Sequence, residues 1–129
     1  MLIDTRTKTI EYVNAGHPPG FLFEEGKAPV ALNQGSCAVG FFDQMEITKS
    51  IFTYEQPIRI ALYTDGLLEA LPLPEDYPED AAESDLLALR LQSCIHQVPS
   101  PECLVETLLP QDVREAQSDD ICMVLITAT

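Results

Sequence analysis

Ile58-Arg59-Ile60-Ala61-Leu62-Tyr63-Thr64-Asp65-Gly66 is the stretch on which the fold turns. Ile58, Ile60 and Leu62 share one face of a period-two strand, and Ala61 and Tyr63 point to the other. This is the best-defined strand of the chain. It stops at Thr64-Asp65-Gly66, where a glycine lets the backbone turn sharply beside a carboxylate held at the rim of a sheet.

Downstream, a short helical turn is expected over residues 67–71. The prolines at 72, 74 and 78 and the clustered acids around them then make residues 72–83 an exposed irregular loop. Ser84 is the expected N-cap of a helix whose Leu87, Leu91, Cys94, Ile95 and Val98 form one apolar stripe that packs on a sheet. A second helix starts with Ser100 as N-cap and Pro101 at its first position, buries Leu104, Val105, Leu108 and Leu109, and ends at Pro110. Residues 121–126 are an unbroken apolar run, the pattern of a strand covered on both faces.

Upstream, residues 9–14 alternate as a strand and run into Ala15-Gly16-His17-Pro18-Pro19-Gly20, whose prolines forbid helix. Phe21-Leu22-Phe23 resumes as a strand, with Glu25-Gly26-Lys27 as a hairpin turn. A connection over residues 33–43 leads to a further strand expected over residues 46–55, which Gln56-Pro57 breaks. The 129 residues, 46% of them hydrophobic, suit a single domain.

A formal net charge of -14 argues against nucleic acid and anionic membrane surfaces as partners, and it suits either a cation-binding protein or a solvated acidic surface. Cys37, Cys94, Cys103 and Cys122 form no Cys-x-x-Cys pair and read as reduced core residues. No apolar run approaches the ~20 residues of a membrane helix. Asp4, Arg6 and Lys8 interrupt the N-terminus before any signal core can form, so the expected location is cytoplasmic, without membrane insertion.

Asp119 and Asp120 precede the last apolar run as Asp65 follows the central one. If the two strands pair antiparallel, the three carboxylates come to the same sheet edge. Like charges gathered there call for a shared cation or proton, and oxygen ligands without His or Cys favour magnesium or manganese. Neighbouring strand residues face opposite ways, so only one of Asp119 and Asp120 is expected to bind and the other to cap or support. From these residues alone an ordinary turn at Asp65-Gly66 and a solvated loop at Ser118-Asp119-Asp120 stay open, and are the commoner cases.

Three blocks taken together go further: Tyr12-Val13-Asn14-Ala15-Gly16-His17-Pro18-Pro19, then Leu62-Tyr63-Thr64-Asp65-Gly66-Leu67-Leu68-Glu69-Ala70, then Asp119-Asp120-Ile121. In order and spacing they resemble the bacterial PPM (type 2C-like) metal-dependent phosphatases of the stage II sporulation protein E type, over nearly the whole chain. The resemblance implies an α+β fold, an α-β-β-α sandwich of antiparallel sheets packed against helices, here lacking its N-terminal part. It also implies metal binding by Asp65 and Asp119, no catalytic side chain beyond the metal ligands, and a two-metal site holding Mn2+ or Mg2+. Asp120, Gly66, Asn14, Gly16 and His17 would support the site or line its edge, His17 equally serving as a turn histidine with structural hydrogen bonds. The implied activity is hydrolysis of phosphoserine or phosphothreonine in a regulatory protein of the anti-sigma-factor antagonist type.

The sequence departs from the family pattern in three places. No Asp-x-x-Gly-His-Gly block precedes Asn14, Gln56-Pro57 replaces a Gly-Asp turn, and the acidic proline loop follows Ala70. The expectation is one partial phosphatase domain over residues 1–129, weak or inactive alone, with a homo-oligomer as one way to cover its exposed sheet. The alternative is a non-catalytic interaction module derived from that fold. A receiver domain is disfavoured because its lysine lies beyond the acceptor strand, whereas Lys8, Lys27 and Lys49 all precede Asp65.

Overall fold

The computed structural model describes residues 1–40, 43–44 and 46–129. The first half is β1 (Leu2–Asp4), β2 (Thr9–Tyr12), β3 (Asn14–Ala15), β4 (Gly20–Glu24), β5 (Val30–Leu32), β6 (Gly35–Ser36) and β7 (Ser50–Thr53). After β8 (Ile58–Tyr63) come α1 (Asp65–Glu69), α2 (Glu83–Cys94), α3 (Pro101–Leu108), α4 (Gln111–Ala116) and β9 (Met123–Ala128). The strands form an antiparallel sheet in the order β5-β4-β8-β9, a second antiparallel sheet β1-β2-β7, and a small parallel pair of β3 with β6.

The alternation of β8 divides the core. Ala61 and Tyr63 join Phe21, Phe23, the helical residues Leu67, Leu87, Leu91 and Leu104, and Ile95 at the C-cap of α2, while Ile58 and Ile60 join Leu22, Ile10, Tyr12 and Tyr54 on the opposite face. Helices therefore cover one side of the four-stranded sheet and residues of the three-stranded sheet cover the other. Each fully buried aliphatic side chain, such as Ile60 or Leu91, adds about 1.5–3 kcal/mol of burial. The helix-sheet-sheet stacking is that of the expected sandwich.

Where β4 ends, Glu24 is buried and closes the crossover from β7 to β8. Its Oε1 accepts the backbone N–H groups of Glu55 and Gln56, both at 2.9 Å, and its Oε2 pairs with Lys27 at 2.8 Å. The Lys27 ammonium, and then the Gln56 amide, hold this carboxyl down at about 2. The break at Gln56-Pro57 is thus a capped crossover. In the tight turn between β4 and β5, Gly26 sits at φ 78° and the Lys27 N–H bonds the Glu24 carbonyl.

Several expectations need correction. The strand placed over residues 46–55 is confined to Ser50–Thr53, because the Ser36 hydroxyl engages the Glu46 carbonyl and the Thr48 amide in place of a ladder. Within the connection over residues 33–43, Gly35–Ser36 forms a short strand; Phe41 and Phe42 lie outside the described residues. The first helix begins at Asp65 rather than at 67. Helix α2 begins at Glu83, with Ala82 and not Ser84 at the N-cap and no side-chain capping bond. Ser100 does cap α3, accepting the Cys103 amide at 3.3 Å.

Beyond Pro110 the chain does not stay irregular. Pro110 serves as the N-cap of α4, a helix without a buried residue and hence without an apolar stripe to announce it. Strand β9 lies at the sheet edge with Val124 48% exposed, so the apolar run is not covered on both faces. Cys37 and Cys122 are exposed rather than in the core, Cys94 and Cys103 are half-buried, and all four are free thiols.

Candidate metal centre

Antiparallel pairing of β8 with β9 sets Tyr63 opposite Met123. One step further, the Thr64 N–H donates to the Cys122 carbonyl at 3.0 Å, so the ladder runs on past the last strand residues. The chain leaving β8 and the chain entering β9 therefore lie side by side, which brings Asp65 and Asp119 together. Asp119 and Asp120 precede β9 in an irregular segment, so the strict alternation of a strand does not govern them.

Close approach here depends on Gly66. A Cβ at that position would lie 2.6 Å from the Asp120 carbonyl oxygen and 3.4 Å from the Asp119 carbonyl carbon. Helix α1 then carries Asp65 and Glu69 four residues apart, on one face. Asp65, Glu69 and Asp119 each present a carboxylate oxygen within 4.8 Å of the others, and all three residues are exposed. At that spacing each pair of charges repels by roughly 1 kcal/mol even with water-like screening. No lysine, arginine or histidine forms an ion pair with them among the described residues.

Asp120 supports the cluster through its backbone. Its N–H donates to Asp119 Oδ1 at 2.8 Å, and its carbonyl accepts the Thr64 hydroxyl at 3.1 Å. Beside the carboxylates lies a cleft of about 280 Å3 lined by Gly66, Glu69, Val113, Gln117, Ser118 and Asp119. A larger cleft of about 550 Å3, between α3, α4 and Cys122, holds none of the three clustered acids. The donor set, three carboxylates without a nitrogen or sulfur ligand, suits a hard divalent cation.

Asn14, Gly16 and His17 do not enter this cluster. The Asn14 side chain donates to the His17 and Leu32 carbonyls at 2.9 and 3.1 Å and accepts the His17 amide at 2.9 Å, fixing the loop that follows β3. Gly16, at φ 85°, leaves no room for a Cβ beside Ala38. The His17 ring bonds the Pro18 carbonyl through Nδ1 at 2.8 Å. The loop is nevertheless tied to the end of β8, because the Tyr63 hydroxyl donates to the Pro19 carbonyl at 2.7 Å. Burial pushes the Tyr63 phenol up to about 12, which keeps it a donor.

Glu69 is the residue that sequence reading did not single out as a ligand. Its signal was present in the four-residue spacing from Asp65, but that spacing matters only once the helix is known to begin at Asp65.

The four-stranded antiparallel sheet, with helices on one face and a second sheet on the other, is matched by PP2C-type phosphatase domains of known structure. The manganese-presoaked phosphatase domain of SpoIIE from Bacillus subtilis superposes with a TM-score of 0.65 at 13% identity, over 98% of this chain and 53% of that one. A structure of the SpoIIE PP2C phosphatase domain with a fragment of its regulatory domain matches at 0.63 and 13% identity, over 98% and 37% of the two chains. The profile of the stage II sporulation protein E family matches residues 1–129, and the chain belongs to that family. It is also 31% identical over 113 residues to the phosphoserine phosphatase RsbP of Bacillus subtilis, an alignment that takes in 80% of this chain and 28% of the relative. The chain thus spans well under half of that curated relative.

Proposed function

We propose that this chain contributes the Asp65, Glu69 and Asp119 edge of a divalent-metal site in a phosphoserine/phosphothreonine protein phosphatase. The observation that carries this reading is the convergence of the three carboxylates within 4.8 Å at the end of β8. The phosphatase names of the relatives and the manganese presoak of the SpoIIE domain support it, with Mn2+ or Mg2+ as the ion. Bound there, such ions would lower the pKa of a coordinated water and offset charge on the phosphoryl oxygens. This chain's residues do the holding: Gly66 lets α1 close against Asp120, and the Asp120 amide fixes one Asp119 oxygen.

Three carboxylates are few donors for a pair of ions, and the chain spans 53% of the matched SpoIIE phosphatase domain. By itself the 129-residue chain is therefore expected to be weak or inactive, and the same donor count favours a second reading, a non-catalytic module that binds without hydrolysing. The substrate we propose is a phosphorylated regulatory protein of the anti-sigma-factor antagonist type. A cytoplasmic setting agrees with the four free cysteines and with no helix, among the described residues, long and apolar enough to cross a membrane. A second copy could lie against the exposed edge of β9.

Calorimetric titration with Mn2+ tests the metal reading: Asp65→Ala is expected to bind about 100-fold more weakly than wild type, whereas identical binding by both sinks it. Vigorous Mn2+-dependent phosphate release from a phosphoserine protein by these residues alone would contradict the expected weak activity.

A further inference from the structure

We infer that Thr64 is a positioning residue whose hydroxyl ties the segment of residues 118–122 to α1 and so sets the separation of Asp65 and Asp119. Thr64 stands at the N-cap of α1, where a threonine hydroxyl ordinarily accepts an amide of the first turn. It makes no such bond. The hydroxyl instead donates to the Asp120 carbonyl at 3.1 Å and accepts the Cys122 amide at 3.0 Å, reaching 56 and 58 residues along the chain. A single O–H can donate once while its oxygen accepts, so both bonds form together.

The consequences run directly to the carboxylates. The Asp120–Ile121 peptide has its carbonyl held between the Thr64 hydroxyl and the bare Cα of Gly66, and in the adjoining Asp119–Asp120 peptide the Asp120 N–H points at Asp119 Oδ1 at 2.8 Å. Asp65 is the next residue after Thr64. One hydroxyl thus connects the backbone that carries Asp65 with the backbone that orients Asp119, on a rim where three acids repel one another. The cap that α1 forgoes is the structural cost of this arrangement, and it explains a cap-competent residue that does not cap.

The inference deepens the metal-site reading and rests on it for its effect on affinity, while the tie itself can be read without metal. The experiment compares wild type, Thr64→Val, which keeps the shape and removes the hydroxyl, and Thr64→Ser, which restores it. Amide hydrogen exchange by NMR is measured without metal, and Mn2+ affinity by calorimetry. The Cys122 amide is expected to be protected in wild type and Thr64→Ser. In Thr64→Val, exchange at Asp120 and Cys122 accelerates and Mn2+ binds about 10–100-fold more weakly, as for other residues that orient a ligand. The Ile60 amide keeps its rate throughout, which separates positioning from loss of fold.

An unprotected Cys122 amide in wild type overturns the inference, as do unchanged exchange and affinity in Thr64→Val, or a Thr64→Ser that behaves like Thr64→Val. If Thr64→Val does not fold, the wild-type and Thr64→Ser exchange patterns decide. Exchange as expected with no Mn2+ binding by wild type would uphold the tie and bring down the metal reading instead.

Discussion

Glu24 and the Asp65, Glu69 and Asp119 cluster stand at opposite ends of the same sheet and manage negative charge in opposite ways. Glu24 lies opposite Ile58, where β8 begins, and the cluster lies beyond Tyr63, where β8 ends. The first carboxylate is buried and answered by one ammonium and two amides. Within the second group the one amide donor is that of Asp120, and the acids face one another in the open, without an ion pair among the described residues. A carboxylate that closes the fold brings its compensation with it, whereas the second group stands against its own repulsion, which the proposed divalent cation would offset.

The contrast can be broken most decisively at the cluster. Asp65→Ala is expected to weaken Mn2+ binding by about 100-fold, close to 2.7 kcal/mol, while Glu24→Gln leaves the affinity unchanged; calorimetry reads both. Gly66→Ala comes next, because its Cβ would meet the Asp120 carbonyl at 2.6 Å. It should destabilise the fold by about 1–3 kcal/mol in urea unfolding and weaken Mn2+ binding as well.

At the other end, Glu24→Gln should cost about 1–2 kcal/mol of stability by loss of charge-assisted hydrogen bonds. Glu24 lies below its ordinary value of 4.5, at about 2, so its contribution is present above about pH 4.5 and is lost as the pH falls toward 2. Urea titrations of wild type between pH 6 and about 2.5 should show that decline, and Glu24→Gln should show less of it. The smallest effect has the opposite sign. Without metal, Asp65→Asn should raise stability by under about 1 kcal/mol by relieving repulsion, and a thermal melt that falls by several degrees would show that Asp65 holds structure instead.

One side of this contrast was legible in the sequence. The alternation over Ile58 to Tyr63 specified both the strand and its division between two cores, and Asp119 ahead of a second apolar run placed its partner at the same edge. Other features were hidden for physical reasons. Glu69 escaped because a helix started at 67 leaves Asp65 outside it, and the four-residue spacing has no meaning across a turn. Helix α4 escaped because Pro110 ends one helix and opens another, and because no residue of α4 is buried. The apolar run before the C-terminus could not reveal that β9 is an edge strand, since periodicity reports which faces are apolar and not which neighbours are present. Glu24 was hidden because, apart from Lys27, its partners are the backbone amides of Glu55 and Gln56, 31 and 32 residues away.

The most direct test of the central claim is paramagnetic broadening of backbone amide signals by substoichiometric Mn2+. Losses are expected to centre on residues 64–70 and 117–121, with the amides of Glu24 to Lys27 and of the acidic loop over residues 72–83 intact. Broadening centred on Glu75, Asp76, Glu79 and Asp80, or none at Asp65 and Asp119, would contradict it.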